Sequence, residues 1–151
     1  MPGFQFRLQS LQKLREHARD ERRAALAQTY EAERLLKDEK KRLAVELESL
    51  KKYIRADVSP GVVRVDRLLD VQRYEMVVIA QTETITRQQE QIQEEISRRR
   101  QALVEADKEV RVLEKLRTRQ QAEFRRGEVR QVNRDLDEVA ARRHLAKGVE
   151  K

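Results

Sequence analysis

The chain has 151 residues, of which 40% are charged, 38% hydrophobic and 4% aromatic, and its formal net charge is +7. So few apolar and aromatic side chains cannot fill the core of a compact globule. Without cysteine, disulfides and thiolate metal sites are excluded. The sequence has neither a run of about 18 apolar residues nor a signal-peptide pattern, so we expect a cytoplasmic protein that does not insert into a membrane.

The first predicted helix extends over about residues 8–55. The N-terminal residues alternate as in a strand up to Leu8, and a helical spacing takes over at Leu11. Leucine and alanine then recur on one face as far as Ile54. Leu11 and Leu47 are separated by about ten turns of 3.6 residues, which predicts a nearly straight helix with weak supercoiling.

A turn is predicted over about residues 56–66. Pro60 and Gly61 stand together there, and nowhere else inside the chain do these two residue types form such a break between helical patterns. Because a short connection forces neighbouring helices to lie antiparallel, the chain is expected to fold back on itself as a hairpin.

The second predicted helix extends over about residues 66–146, with Asp66 as its N-cap. From Val78 to Leu113 the apolar residues are spaced alternately by threes and fours, which is typical of a coiled-coil seam, the line along which two helices face each other. Gly127 interrupts the later part of the pattern without ending the helix.

Three polar residues, Thr82, Gln89 and Arg99, fall on this predicted seam. Polar side chains at such positions weaken the packing locally and are associated with fixing register or pairing. Along most of the chain, residues of opposite charge are interleaved, as in the i, i+4 pairs Glu94 with Arg98, Glu95 with Arg99 and Asp107 with Arg111. This pattern favours solvated helix faces over a dedicated nucleic-acid surface.

The predicted fold is all-α: a long two-helix antiparallel coiled-coil hairpin with a C-terminal helical overhang, forming one domain over 1–151. If Ile54 lies opposite Leu68, Leu11 lies near Arg111, and helix two extends roughly thirty residues, about 45 Å, beyond the N-terminus. An amphipathic helix without an internal partner must dissolve, dimerise or dock elsewhere. The basic residues of this overhang, which are Arg125, Arg126, Arg130 and Arg134, indicate an acidic docking surface.

The sequence predicts no enzyme activity, no cofactor and no metal site. A two-helix hairpin has almost no concave surface for catalysis, and four glycines in total exclude a phosphate-binding loop of the Walker type. His17 and His144 lack the neighbouring ligands of a zinc site and are expected to be exposed helix residues. Tyr53 and Tyr74 flank the turn, where they either cap the coiled-coil core or form a binding hot spot.

Residues 4–17, which read Phe-Gln-Phe-Arg-Leu-Gln-Ser-Leu-Gln-Lys-Leu-Arg-Glu-His, resemble the opening of the flagellar export protein FliJ family. The segments 20–27, 113–117 and 136–140 continue the likeness. The combination of the aromatic opening, the turn near residue 60 and the ending is what is specific to that family.

The resemblance implies a non-catalytic stalk of the flagellar type III export apparatus, similar in fold to the central stalk of rotary ATP synthases. Such a stalk would enter the hexameric export ATPase ring, promote its assembly and activity, and link it to the cytoplasmic domain of the membrane-embedded export gate. Family members are also described as escorting export chaperones. The implied location is cytoplasmic and peripheral to the flagellar basal body at the inner membrane.

The resemblance assigns the open end of the hairpin to the ring and the closed end to the gate. The expected ring contacts are Arg15, Lys115, Arg117, Arg119, Arg125 and Arg126. The expected gate contacts are Tyr53, Tyr74 and Val78. Alternatives that the residues leave open are a stalk of a virulence type III secretion system, a coiled-coil scaffold that dimerises through the overhang, and a basic coiled coil that binds nucleic acid.

Overall fold

The computed structural model of the protein describes residues 3–57 and 64–149, and over these ranges it contains two α-helices and no strand. Helix α1 covers Gln9–Asp57 and helix α2 covers Val65–Val149. The two helices pack against each other, so the predicted all-α helical hairpin is confirmed, with helix ends within three residues of those expected. The predicted turn at Pro60 and Gly61 lies outside the described residues.

Helix α1 begins where the sequence predicts. The backbone N–H of Gln9 donates to the carbonyl oxygen of Phe6 at 3.1 Å, and that of Gln12 donates to Leu8 at 2.8 Å. Residues 3–8 form neither helix nor strand, and Phe4 packs against Phe124 of α2 with the ring centroids 5.8 Å apart. This contact ties the start of the chain to α2.

Helix α2 begins one residue earlier than expected. The N–H of Leu68 donates to the carbonyl oxygen of Arg64 at 3.2 Å, so Arg64 and not Asp66 holds the capping position. Asp66 lies in the first turn, where a carboxylate still favours the positive end of the helix dipole. The helix continues without interruption through Gly127.

The chain divides into two compact units. One consists of Asp20–Val104, and the other of Met1–Arg19 with Glu105–Lys151. The expectation of a single domain over 1–151 stays a prediction.

In the unit Asp20–Val104, Leu43, Val78 and Ile85 form a buried cluster, and Leu26 and Ile96 are also buried. Leu36, Leu47 and Leu50 pack against this cluster. Fully burying one such side chain stabilises a fold by about 1.5–3 kcal/mol, so these contacts hold the helix pair closed. The α2 residues of this core are among those that the spacing placed on the seam.

Polar side chains interrupt this core in pairs that bond across the helices. Arg99 Nη1 donates to the carbonyl oxygen of Ala25 at 2.7 Å and to Thr29 Oγ1 at 2.6 Å. Lys40 Nζ donates to Gln89 Oε1 at 3.3 Å, whereas the Thr82 hydroxyl donates to Val78 in its own helix at 2.9 Å. Two of the three polar seam residues therefore connect α1 to α2.

In the unit of Met1–Arg19 with Glu105–Lys151, the buried residues are Phe6, Gln12, Val110 and Leu113. The start of the apolar face predicted for helix one is wrong: Leu11 is 37% exposed and the next leucine, Leu14, is 63% exposed, whereas Gln12 is only 6% exposed.

The reason for this error lies in the repeat length. Gln12, Leu26 and Leu47 are separated by multiples of seven, and all three are buried or half-buried. Helix α1 therefore keeps a seven-residue repeat, which passes through Gln12 even though its neighbours are leucines. Leu11 and Leu47 therefore do not lie on one face of α1, although the expectation of a nearly straight helix rested on their spacing.

Candidate functional site

The segment 125–149 of α2, called the tail below, is exposed at every residue. At a rise of about 1.5 Å per residue, the tail is about 37 Å long. Its apolar residues Val129, Val132, Leu136 and Val139 follow one another at spacings of three and four, and each is at least 46% exposed. We call these four residues the apolar stripe. The predicted overhang is therefore a single helix whose apolar face has no partner among the described residues.

The apolar stripe does not continue the seam of α2. At 3.6 residues per turn, the stripe is rotated by roughly a quarter turn from the buried and half-buried positions Val110, Leu113 and Phe124. A protein that packs on the stripe therefore approaches α2 from a side that α1 does not occupy.

The six basic residues expected at the ring are all exposed. Two of them form ion pairs: Arg15 Nη1 lies 2.9 Å from Glu109 Oε2, and Arg119 Nε lies 3.1 Å from Glu123 Oε1. Lys115, Arg117, Arg125 and Arg126 have no ion-pair partner in the described part of the chain.

The ion pair between Arg15 and Glu109 also shows the register of α1 against α2 at this point. The expected register places Leu11 near Arg111, so Arg15 was expected near residue 107. The observed partner is two residues away, which is less than one helical turn.

At the other end, Tyr53 and Tyr74 are 48% and 47% exposed. The Tyr74 hydroxyl donates to the Glu46 carboxylate on the facing helix, and this bond raises the pKa of Tyr74 above its ordinary value of 10.0. Within 3–57 and 64–149 the one ring-to-ring contact is that of Phe4 with Phe124, so the two tyrosines do not stack on each other.

Val78, the third residue expected at the gate, is placed differently. It is 1% exposed and lies in the core between the helices. A partner cannot reach its side chain while the hairpin is closed, so Val78 is a core residue, and we remove it from the gate surface.

Elsewhere on the exposed faces of the two helices, neighbouring residues form local ion pairs. Arg34 lowers the pKa of Glu31 by hydrogen bonding, and Arg42 does the same to Glu39. Of the predicted i, i+4 pairs, Glu95 with Arg99 and Asp107 with Arg111 are present at 2.7 and 2.8 Å. Arg98 pairs with Glu95 at 2.9 Å instead of with Glu94.

Nowhere in the described ranges do three side chains of His, Asp or Glu group so as to hold a metal ion. His144 lies beside Leu136, Val139 and Arg143 on the tail. Neither described helix has the length of apolar sequence that a membrane span requires.

Some contacts of these surfaces were not anticipated from the sequence. Arg100 Nε donates to the Tyr30 hydroxyl at 2.7 Å, and its guanidinium lies 5.7 Å from the centre of the Tyr30 ring. The contact of Phe4 with Phe124 was also missed, although the predicted register brings the N-terminus to about residue 120 and only three phenylalanines exist.

The family model described as flagellar FliJ protein matches residues 4–148. Neither the search of curated proteins nor the search of solved structures returned a match.

Proposed function

The chain belongs to the flagellar FliJ protein family, whose broad role is that of a stalk in flagellar protein export, and we propose that it binds the hexameric export ATPase. As a non-catalytic stalk, it promotes the assembly and activity of the ATPase ring and links the ring to the export gate. Its location is then peripheral to the flagellar basal body at the inner membrane.

The exposed tail is the observation that carries this proposal. A single helix in water is marginal unless its apolar face is packed, and this one leaves four branched aliphatic side chains in solvent. A helix of this kind is ordinarily completed by the groove of a partner. The pore of a ring that surrounds the helix supplies contacts on all sides.

Charge supports an acidic lining for that pore. The exposed cations at and next to the tail that form no ion pair among the described residues are Lys115, Arg117, Arg125, Arg126, Arg130, Arg134, Arg143 and Lys147. Carboxylates on the inner surface of a ring would pair with them and steer the tail during association. Arg15 and Arg119 already hold ion pairs, so they contribute only if Glu109 and Glu123 give them up.

At the closed end, the proposal assigns Tyr53 and Tyr74 to the gate. Both present a half-exposed ring, and tyrosine combines apolar contact area with a hydroxyl, which is why it is common in binding hot spots. We also propose that export chaperones dock on the apolar stripe, so that a chaperone and the ring compete for one surface.

ATP turnover of the cognate export ATPase, measured with and without this chain, tests the stalk function. We expect no turnover by the chain alone and stimulation of the ATPase. Leu136→Asp, which places a charge in the middle of the apolar stripe, should abolish stimulation because it removes apolar contact and adds an unpaired carboxylate.

The matched control is Ala141→Asp, which adds the same charge on the opposite side of the tail and should preserve stimulation. The stalk proposal is withdrawn if the unmodified chain neither binds nor stimulates the ATPase. Equal loss in both variants would show that tail helicity, and not the stripe, is what matters.

A further inference from the structure

The closed end of the hairpin carries a group of exposed cations that come from both helices. The last turns of α1 hold Lys51, Lys52 and Arg55, and the start of α2 holds Arg64 and Arg67. We call these five residues the closed-end cluster. All five are exposed, and none of them forms an ion pair within the described residues.

By contrast, several exposed cations of the unit Asp20–Val104 are neutralised by local ion pairs. Elsewhere in the same unit, Arg34 pairs with Glu31 and Asp38, Lys37 with Glu33, and Arg87 with Glu83. The intervening residues 58–63 contain no charged side chain that could neutralise the cluster. Within residues 51–67, five cations stand against the two carboxylates of Asp57 and Asp66, which leaves a local net charge of +3.

Apolar side chains lie among these cations. Tyr53, Val65 and Leu69 are 48%, 60% and 45% exposed. A partner that offers only phosphates, such as a nucleic-acid backbone, gains nothing from exposed aliphatic side chains. A phospholipid surface binds cations through its headgroups and takes up aliphatic and aromatic side chains at the boundary with the acyl chains.

The distribution of the cations also favours a broad partner. At 3.6 residues per turn, Lys51, Lys52 and Arg55 spread over more than a quarter of the circumference of α1. The other two cations come from the facing helix. A groove that accepts one helix face would meet only part of this set, whereas a flat anionic surface against the end of the hairpin meets both helices.

We propose that the closed end of the hairpin binds directly to the surface of an anionic phospholipid bilayer through the closed-end cluster. Tyr53, Val65 and Leu69 add apolar contact at the headgroup level. This binding is peripheral, because neither described helix is apolar enough to cross a membrane. It depends only on the placement of charge and does not rest on the proposed stalk function.

Cosedimentation of the full-length chain with lipid vesicles tests the proposal. We expect binding to vesicles of phosphatidylcholine mixed with phosphatidylglycerol, no binding to phosphatidylcholine alone, and a steep loss as salt is raised. The variant K51Q/K52Q/R55Q should bind the anionic vesicles about 100-fold more weakly, since each basic residue near an anionic surface contributes about a factor of five.

The variant R34Q/K37Q/R87Q is the control. It loses the same charge at exposed positions that are already ion-paired, and it should bind like the unmodified chain. Helical circular dichroism of both variants should equal that of the parent, because exposed charges contribute little to stability.

Three results would overturn the proposal. Undiminished vesicle binding by K51Q/K52Q/R55Q would exclude the closed-end cluster, and equal weakening of both variants would show an effect of net charge alone. Binding to an oligonucleotide that the cluster variant loses, without any binding to vesicles, would reassign the cluster to nucleic acid. Because no flagellar component is present, failure here leaves the stalk proposal standing.

Discussion

Arg99 occupies a seam position where a two-helix coiled coil ordinarily places an apolar side chain. Its guanidinium reaches the backbone carbonyl of Ala25 and the hydroxyl of Thr29, which is itself buried. If the helices slipped by one seam position, this donor and these acceptors would separate. The sequence identified Arg99 as a seam residue, but its acceptors depend on the register between the helices and became visible only in the structure.

Replacement of Arg99 by methionine tests this connection. Arg99→Met keeps the length of the side chain but removes both bonds to α1, so we expect the free energy of unfolding in urea to fall by about 1–2 kcal/mol. The neighbouring Arg98→Met is the control. Arg98 is exposed and makes only a local ion pair with Glu95, and its loss should change stability by less than about 0.5 kcal/mol. Similar losses in the two variants would contradict the role of Arg99.

Tyr74 provides a pH-dependent signal at the closed end. Its hydrogen bond to Glu46 raises its pKa, so the folded-state pKa lies above that of the unfolded chain. The stabilisation from this contact is complete below the ordinary tyrosine pKa and is lost as pH rises through the folded-state pKa.

Ultraviolet titration of the tyrosines should therefore show one component that ionises later than an unperturbed tyrosine. This component should disappear in Tyr74→Phe and persist in Tyr53→Phe. It should move back towards the ordinary value in Glu46→Gln, which keeps a hydrogen-bond acceptor but removes the negative charge. Persistence of the late component in Tyr74→Phe would assign it to another tyrosine.

At the scale of the helix, the prediction from sequence was most accurate where apolar periodicity is strong. The α2 residues Val78, Ile85 and Val110 lie in the cores as expected. It failed in α1, where Leu11 and Leu14 are exposed and Gln12 is buried, because a spacing of 3.6 residues was assumed where the helix keeps a seven-residue repeat. Composition alone does not determine which of two overlapping rows of residues on α1 packs against the facing helix.

Gly127 lies inside α2 just after the tail begins, and an added Cβ there would meet no heavy atom within 4 Å other than those of the adjoining backbone of its own helix. Gly127→Ala should therefore raise helix stability by about 1 kcal/mol, since alanine restricts the unfolded chain and introduces no clash. Slower amide hydrogen exchange in residues 125–149 is the measurement.

Gly148→Ala is the comparison for this change. Gly148 also has open space around it but lies one residue from the end of α2, where fraying limits any gain, so exchange in the tail should hardly change. Unchanged exchange in Gly127→Ala would show that this glycine does not limit the helix.

At the scale of the molecule, the fold followed from the sequence because one proline and glycine pair separates two long helical patterns. The candidate site followed only in part. The overhang, its apolar stripe and the exposed cations were predictable from register arithmetic. Val78 was assigned to the gate surface although the apolar spacing that placed it on the seam already predicted its burial.

Truncation after Phe124 separates the hairpin from the tail. Residues 125–149 contribute no buried side chain, so the shortened chain should lose helical ellipticity in proportion to its length while its midpoint of thermal unfolding changes by no more than a few degrees. It should also fail to stimulate the export ATPase. A large fall in the midpoint would mean that the tail supports the hairpin and is not an independent helix.

Because the apolar stripe is rotated away from the seam, the tail can pass from one binding partner to another. A protein that binds the stripe does not compete with α1 for any side chain, so its binding and dissociation leave α1 packed against α2. Successive partners can thus be exchanged at the tip of α2 without refolding of the molecule that carries them.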